Sequence, residues 1–549
     1  MNSAMLVLVW AAPLIGALFA VRRGAGWLML LAPLPALAAA GLVPVGSAVS
    51  LPWLLLGVEL GLDEIGRLFL LFSALLWLAA SLYAAGGPRV GEGGAGRFRL
   101  LFLLAMAGNL GLIVARDMVS FYLGFTLMGL AAYGLVVQPG SQRARCAARR
   151  YLVWTIAGEL VLFVALVLLA AQHGGNLAFS ALASTPPGGW VVLLIVIGFG
   201  IKLALPGLHF WLPPAYAVTP APAVAVLGGA MIKAGLLGWI RFLPPGDAAL
   251  TGWGQALIAI GVTGIFFGAL FGLMQSHARL VLGYSSISKM GVLTTGMGAA
   301  LAWPAGAPLL IGALALYAAH HALVKGALFL GLGLAERGGV RPWLLGGLVV
   351  LALALAGAPL TSGALAKSSL TAGLPAGAHH LVTVLAASAF VSTLLMARFL
   401  LLIWKGRAAT PAPYPPEAVT AWLLLLALIV AAPLALAADG QLVVNVVPVA
   451  LGVLLALLLR QTSERLPAPC AARRRRRPLM GRALRRCAGT VVSSVQQVWA
   501  EAYKQLQHRL HGLSPAPGRA HQRELPWAVA GSVWMAVGAL LLYAMVFSS

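Results

Sequence analysis

The chain has 549 residues, of which 61% are hydrophobic and only 9% are charged, and its net charge is +24. Soluble domains carry about 25% charged residues, so this composition excludes a soluble protein and indicates a polytopic membrane protein. The positive charge does not favour nucleic-acid binding, because much of it lies in short loops and between Arg460 and Arg523, as the positive-inside rule describes for cytoplasmic loops.

The sequence contains no recognisable cofactor or metal motif. Cys146, Cys470 and Cys487 lie in basic loops without a CxxC or Cys/His cluster, and no glycine-rich phosphate loop follows a strand pattern. We therefore predict that the chain holds no cofactor and no metal. The first apolar segment lacks a preceding basic region and a cleavage site, so it is interpreted as a retained helix.

Sixteen apolar runs are long enough to cross a bilayer, which takes roughly 20 residues. They lie at about 4–20, 27–44, 66–86, 99–115, 118–137, 150–171, 189–212, 220–242, 254–274, 279–300, 307–333, 343–374, 380–405, 418–437, 441–460 and 526–547. With this count, the basic loops all fall on one side, which we predict to be the cytoplasmic side of a bacterial inner membrane. Both termini are then predicted to lie outside the cytoplasm.

The predicted fold is an all-α polytopic membrane protein with six regions. These are 1–98 with about three N-terminal helices, 99–242 with a first five-helix repeat, 254–405 with a second, inverted five-helix repeat, 406–460 with two further spans, 461–525 with a basic cytoplasmic segment, and 526–549 with the last span. Between Ser494 and Leu513, apolar residues recur at helical spacing, which predicts an amphipathic helix along the membrane surface or against a neighbouring subunit.

The stretch from Gly198 to Arg241 places one lysine near the middle of each of two neighbouring spans, Lys202 and Lys233. A cation at that depth costs at least about 2.5–3.5 kcal/mol, so two such lysines indicate a use for the charge. Pro206 and Gly207 break the first span just after its lysine. An interrupted helix beside a buried ion is typical of a transport site.

Glu159 is the one acidic residue of thirteen that falls in the middle of a predicted span. We expect it to face the protein interior and a cation, and the nearest helices offer Lys202. A carboxylate and a lysine in such a place titrate together, so an arriving proton changes the charge of both. A static ion pair that only fixes helix packing is the alternative.

Several further bases lie inside later spans and form a polar row through successive helices. They are Lys289 in YSSISKMG, His320, His321 and Lys325 in YAAHHALVKGALF, Lys367 in APLTSGALAKSSL, and His209 in LHFWLP as a possible relay. The span of Lys367 is interrupted at Pro359 and Gly363. Since the two lysine-bearing broken spans are five spans apart, they run in opposite directions, as in the inverted repeats of secondary transporters.

Five stretches together resemble the antiporter-like membrane subunits of respiratory complex I, over about residues 60–405. They are IKLALPGLHFWLPPAYAVTPAPAVAV, MIKAGLLGWIRF, LGYSSISKMG, HHALVKGALF and GAPLTSGALAKSSL. The same fold occurs in Mrp-type cation/proton antiporters, in membrane-bound hydrogenases and in the membrane partner of a bicarbonate-uptake complex. Sixteen spans with a surface helix before the last one are similar to the largest, distal subunit of complex I.

The resemblance implies two inverted five-helix bundles and a role in proton translocation. Lys202 matches the family's lysine on the first broken helix, and Lys233 matches the bridging lysine of the next helix. The family's His-x-x-x-Lys helix is matched by His321 and Lys325. Lys367 matches the ionisable residue of the second broken helix, where the family has its entry or exit gate.

Two positions depart from the family pattern. Thr126, in FYLGFTLMGL, stands where the family usually has a glutamate, and Glu159 on the next helix is the acidic residue available to replace it. Lys289 stands where the family often has a histidine, in a motif similar to SSISHMG.

We therefore predict a proton-translocating subunit of a complex I-like assembly, embedded in the lipid bilayer with other membrane subunits as partners. Protons would move along Glu159, Lys202, Lys233, Lys289, His320, His321, Lys325 and Lys367. Three alternatives remain: a monovalent cation/proton antiporter, a proton-conducting partner of an inorganic-carbon uptake complex, and a non-conducting assembly subunit.

Overall fold

The computed structural model describes residues 2–22, 24–54, 57–86, 92–406, 412–436 and 446–465. The helices of this part of the chain are α1 (Asn2–Phe19), α2 (Trp27–Leu31), α3 (Leu34–Leu42), α4 (Glu64–Ala85), α5 (Glu92–Val114), α6 (Met118–Val137), α7 (Gln142–Gln172), α8 (Ala181–Ser184), α9 (Gly189–Leu203), α10 (Leu212–Val218), α11 (Ala221–Gly228), α12 (Ala234–Phe242), α13 (Thr251–Leu273), α14 (Ala278–Ala302), α15 (Ala307–Gly338), α16 (Pro342–Ala356), α17 (Ser362–Ala372), α18 (His379–Lys405), α19 (Pro416–Leu436) and α20 (Val446–Arg465). Two short strands, β1 (Ala48–Leu51) and β2 (Val58–Gly61), pair antiparallel between α3 and α4.

In this part of the chain, ten helices are long and apolar enough to cross a membrane, and four shorter apolar helices accompany them. Each of the first fifteen predicted spans overlaps a helix or an interrupted pair of helices in the described residues. The protein is therefore a multi-pass membrane protein. The basic segment, the amphipathic helix and the last span lie outside the described residues, so the count of sixteen spans and the six regions stay predictions.

Glycines set the close approach of two helix pairs. On α13, a Cβ at Gly261 would lie 2.5 Å from the backbone nitrogen of Thr295 on α14, and a Cβ at Gly268 would lie 2.5 Å from that of Ser288. On α5, a Cβ at Gly108 would lie 2.4 Å from the backbone nitrogen of Met128 on α6. Small residues of this kind let membrane helices pack backbone to backbone. The two contacts fix α6 and α14, which carry Thr126 and Lys289.

Two helices of 15 residues each, α9 and α16, end inside the protein. Each ends at a residue in the left-handed conformation, Ala204 with φ of 55° and Gly357 with φ of 83°. The chain resumes as α10 and α17, after breaks that contain Pro206, Gly207 and Pro359. Gly363 lies in the first turn of α17, where a Cβ would come within 2.0 Å of the Ala354 carbonyl oxygen.

Charged residues join elements at the ends of the bundle. Asp63, the N-cap of α4, accepts hydrogen bonds from the Gly66 amide at 2.7 Å, from Arg116 at 2.7 Å and from both terminal nitrogens of Arg241. Arg279 and Glu336 form a two-point ion pair, with both N–O distances at 2.7 Å. The basic-loop pattern predicts one side of the membrane for the first group and the opposite side for the second.

The charge of Asp63 is predicted to stabilise the fold. Burial alone would raise the pKa of Asp63, but the hydrogen bond and charge of Arg241, the Gly66 amide and Arg116 outweigh it and hold the pKa at about 2. Because the folded pKa is below the ordinary 3.8, this stabilisation is present above pH 4 or so and is lost as the pH falls toward 2. The side chain is 31% exposed, so solvent screening keeps the contribution at or below about 2 kcal/mol.

We expect Asp63→Asn to lower the melting temperature of the detergent-purified protein at pH 7, because it leaves the 9%-exposed Arg241 without a counter-charge. Asparagine keeps the capping function, so the change isolates the ion pairs. The matched control is Asp247→Asn, since Asp247 caps an exposed turn through the Ala249 amide at 2.8 Å. Equal melting temperatures for wild type and Asp63→Asn at pH 7 would contradict the prediction.

Candidate functional site

Lys202 occupies an aromatic pocket at the end of the first broken helix. It lies in the last turn of α9, and only 5% of it is exposed. Its Nζ donates to Tyr151 Oη at 3.3 Å, and the rings of Phe125 and Tyr151 each lie with their centroid 5.7 Å from Nζ. Trp211 Nε1 donates to the Ile201 carbonyl at 2.7 Å, which closes the break. A helix C-terminus and aromatic faces both favour a cation here.

Glu159 lies on α7 and faces α6. It is 7% exposed, and its Oε1 has no hydrogen-bond partner among the residues that the structure describes. A Cβ on Gly129 of α6 would lie 2.7 Å from that oxygen, so the carboxylate fits against the helix only because residue 129 is glycine. Glu159 and Lys202 interact electrostatically, but no ion pair within 4.0 Å joins them in the described part of the chain.

Thr126 shares the face of α6 that Glu159 contacts. Tyr122, one turn before it, donates its hydroxyl to the Glu159 carbonyl at 3.2 Å, and Gly129 follows it by three residues. Residues three and four apart lie on one side of a helix. The buried Thr126 Oγ1 makes no hydrogen bond of good geometry in the described part of the chain, although the Tyr122 side chain lies close to it. Residue 126, where the family usually has a glutamate, and Glu159 therefore lie at the same contact between α6 and α7.

Lys233 lies at a further, smaller interruption, which was not predicted from the sequence. A single 3₁₀ turn, Met231–Lys233, separates α11 from α12, and the fully buried Lys233 donates to the Gly228 carbonyl at 3.0 Å. The local signal was the pair Gly228 and Gly229. A Cβ on Gly229 would lie 2.2 Å from Leu76 Cδ2, so a larger residue does not fit there.

The central bases lie on α14 and α15. Lys325 donates to the Leu282 carbonyl at 2.7 Å and to the Ser285 hydroxyl. His320 Nδ1 lies 2.9 Å from Ser362 Oγ. His321 and Lys289 have no hydrogen-bond partner for their side-chain nitrogens within the described ranges.

Electrostatic interactions link the central bases to one another. His321 interacts with Lys233, Lys325, His320 and Lys289, and Lys289 also interacts with Lys367. The structure thus brings six of the predicted site residues into one cluster, and all six are at most 7% exposed. They are Lys233, Lys289, His320, His321, Lys325 and Lys367.

Lys367 folds back over the break in its own interrupted helix. Its Nζ donates to the Ala356 carbonyl at 3.4 Å, where α16 ends, and to the Leu385 carbonyl of α18 at 3.5 Å. A Cβ on Gly357 would lie 3.2 Å from Lys367 Cδ. Carbonyls released at a helix C-terminus carry partial negative charge and stabilise an ammonium group.

The remaining predicted relay, His209, packs among aromatic side chains. Its ring packs on Phe210 with centroids 4.5 Å apart and on Phe267 of α13 at 4.8 Å. In the described structure its Nδ1 has no hydrogen-bond partner. No hydrogen bond in the described ranges joins His209 to a lysine, so its role as a relay stays a prediction.

Comparison with known proteins identifies the family. Residues 115–395 match the transmembrane family described as NADH:quinone oxidoreductase/Mrp antiporter. The chain is 33% identical to NADH-quinone oxidoreductase subunit N of Desulforudis audaxviator over 401 residues, which is 67% of this chain and 77% of that protein. It is 30% identical to hydrogenase-4 component B of Escherichia coli over 291 residues, covering 50% of this chain and 43% of that protein.

Solved structures share the fold. A chain of the Mrp complex from a Dietzia species matches with a TM-score of 0.68 and 24% identity, over 99% of this chain and 68% of that one. A chain of the membrane-bound sulfane sulfur reductase, an archaeal respiratory membrane complex, matches with a TM-score of 0.70 and 21% identity, over 98% of this chain and 100% of that one.

This chain belongs to the NADH:quinone oxidoreductase/Mrp antiporter family of membrane proteins. The resemblance inferred from its motifs is thereby confirmed, and the chain is an antiporter-like, proton-translocating type of membrane subunit. The particular similarity to the largest, distal subunit stays a prediction, because subunit N is among the relatives that it matches.

We expect Gly129→Ala to reduce proton transport by about tenfold or more, because its Cβ displaces the Glu159 carboxylate. The new methyl group would lie 2.7 Å from Glu159 Oε1 and 2.9 Å from Thr155 Cγ2. Proton uptake by vesicles that contain the purified complex measures the effect. The matched control is Gly346→Ala, another helical glycine, where a Cβ would meet nothing within 4 Å. Transport that is unchanged by Gly129→Ala would show that the carboxylate position is unimportant.

Proposed function

We propose that this chain moves protons across a bacterial inner membrane as a subunit of a complex I-like oxidoreductase assembly, with its basic loops in the cytoplasm. One observation carries the proposal: five lysines, each at most 5% exposed, lie within the membrane-spanning part of the chain. They are Lys202, Lys233, Lys289, Lys325 and Lys367. Family membership supports the proton as the transported ion.

A purely structural role for these five lysines is energetically unfavourable. Burying five charged lysines at about 2.5–3.5 kcal/mol each costs more than about 10 kcal/mol. That is comparable with the whole stability of a folded domain, about 5–15 kcal/mol. A core of apolar residues would avoid this cost, so the lysines are retained for what their protons do.

In the proposed mechanism, a proton entering near α6 and α7 neutralises the Glu159 carboxylate. Lys202 then loses its nearby counter-charge and releases its own proton toward the central cluster. Added charge on Lys233 or Lys325 repels the charge on Lys289, and this repulsion reaches Lys367 through the interactions already described. Lys367 releases a proton to the other side of the membrane and recovers its charge, beside the carbonyls of Ala356 and Leu385, by taking up the proton that moves along the row. Glu159 then passes its proton to the neutral Lys202, which restores the starting charges.

The energy for this cycle comes from partner subunits. Moving one charge against 100 mV takes about 2.3 kcal/mol. In the proposed assembly, a redox reaction in the partner subunits changes the electric field at the membrane subunits or the contacts that the partners make with them. This chain contributes the proton sites and the helices that hold them.

We expect Lys202→Ala and Glu159→Gln each to abolish proton translocation, because each removes one of the two charged groups at which the proton enters. The complex is purified through a tag on this chain, so the subunits that co-purify identify the assembly. Protons moved per electron are then measured in vesicles. Lys405→Ala and Glu417→Gln, both at exposed positions, are the matched controls. Full pumping by both site variants would refute the proposal.

The same preparation separates the alternatives. A sodium site needs several oxygen ligands, as hard cations do, and Glu159 is the one acidic residue in the middle of a span. We therefore expect replacement of sodium by choline to leave transport unchanged, whereas an antiporter would stop. A co-purified zinc carbonic-anhydrase-like subunit would instead indicate inorganic-carbon uptake.

We expect Thr126→Glu to restore part of the transport lost in Glu159→Gln, because residue 126 lies on the α6 face that contacts Glu159. The double variant returns the carboxylate to the place where the family usually has it. Thr126→Gln in the same background is the control, since it adds similar volume without charge. Equal transport by the two double variants would exclude an exchange of the carboxylate between α6 and α7.

A further inference from the structure

Two buried tyrosines lie between Lys202 and the central lysines. No hydrogen bond in the described structure joins Lys202 to Lys233 or Lys325, so the proposed proton row has a gap at this point. Tyr151 of α7 and Tyr216 of α10 are both fully buried. Neither residue was singled out by the sequence analysis.

Tyr151 forms the first half of the connection. Its hydroxyl accepts the hydrogen bond of Lys202 Nζ at 3.3 Å. Its ring packs edge-on against Trp211, with centroids 5.2 Å apart, and Trp211 in turn packs against Tyr216 at 6.4 Å. Because Trp211 is held by its hydrogen bond to the Ile201 carbonyl, the break after Lys202 positions both phenols.

Tyr216 lies where the paths to the two central lysines meet. A Cβ on Gly228 would lie 3.2 Å from Tyr216 Oη, and the Gly228 carbonyl accepts the hydrogen bond of Lys233. Tyr216 also faces Ser286. Ser286 donates to the Leu282 carbonyl at 3.2 Å, the same carbonyl that accepts from Lys325 at 2.7 Å.

The Tyr216 hydroxyl is buried and makes no hydrogen bond of good geometry among the described residues, although the Ser286 side chain lies beside it. A buried unpaired hydroxyl costs about 1–3 kcal/mol, and phenylalanine would fill the same space between Trp211 and Phe329, whose ring lies 5.3 Å away. Packing therefore accounts for the ring but not for the oxygen.

We propose that Tyr151 and Tyr216 carry the proton from Lys202 to Lys233 or Lys325, with Tyr216 as the junction. This inference rests on the proposed function. The Lys202 ammonium breaks one N–H bond, and its proton forms an O–H bond with Tyr151, whose own proton moves on toward Tyr216 through a bridging water molecule. Tyr216 passes its original proton to a neutral lysine amine. Each phenol and the water gain one proton and lose one, so only the lysines change charge.

The test is Tyr216→Phe in the purified complex, which removes the oxygen and keeps the ring contacts. We expect protons moved per electron to fall at least about tenfold, as for loss of a proton-transfer group. The melting temperature should stay unchanged or rise, because the lost hydroxyl makes no hydrogen bond of good geometry. Tyr83→Phe is the matched control, since Tyr83 is a buried tyrosine of α4 outside the row.

Lys202→Ala in the same assay separates the two proposals. Normal transport by Tyr216→Phe together with loss in Lys202→Ala would overturn the tyrosine relay and leave the proposed function standing. Normal transport by Lys202→Ala would overturn both. An equal loss in Tyr216→Phe and Tyr83→Phe would show a general effect of removing a buried hydroxyl and would also overturn the relay.

Discussion

The cost of charge in a low-dielectric interior governs this structure. A lysine in the membrane core needs electron-rich groups around it, and each lysine with a partner here finds a different kind. Lys202 uses a phenol and aromatic faces, and Lys233 uses a carbonyl beside a 3₁₀ turn. Lys325 uses a carbonyl and a serine, and Lys367 uses one carbonyl at a broken helix and one on α18. Two of these acceptors, the carbonyls of Gly228 and Ala356, lie where a helix is interrupted.

The interruptions depend in turn on residues with little or no side chain. Gly357 takes a left-handed conformation, and Gly229 admits a close approach from Leu76. Ala204 also takes a left-handed conformation, which is unfavourable for a residue with a Cβ, so its neighbours must hold it there. The hydrogen bond from Trp211 to the Ile201 carbonyl and the capping bonds of Ala204 supply that constraint.

Much of this arrangement could be predicted from the sequence because it is local in the chain. Apolar runs predict the spans, a proline next to a glycine predicts the break after Lys202, and a charge in the middle of an apolar run predicts a buried site. The interruption at Lys233 was missed because two adjacent glycines also occur in unbroken membrane helices. The partners of each lysine depend on which helices meet, and nothing in the spacing of Tyr151 and Tyr216 indicates that they flank one tryptophan.

The fit between Glu159 and Gly129 has a consequence for how such subunits diverge. A glutamate at position 159 of α7 fits against α6 only if position 129 has no side chain. Positions 129 and 159 are therefore not free to vary separately. Along a lineage, the glycine has to appear before the carboxylate changes helix or together with it. We expect relatives with threonine at position 126 to have both glycine at position 129 and glutamate at position 159. The glycine and the glutamate together are then a sequence signature of the relocated counter-charge.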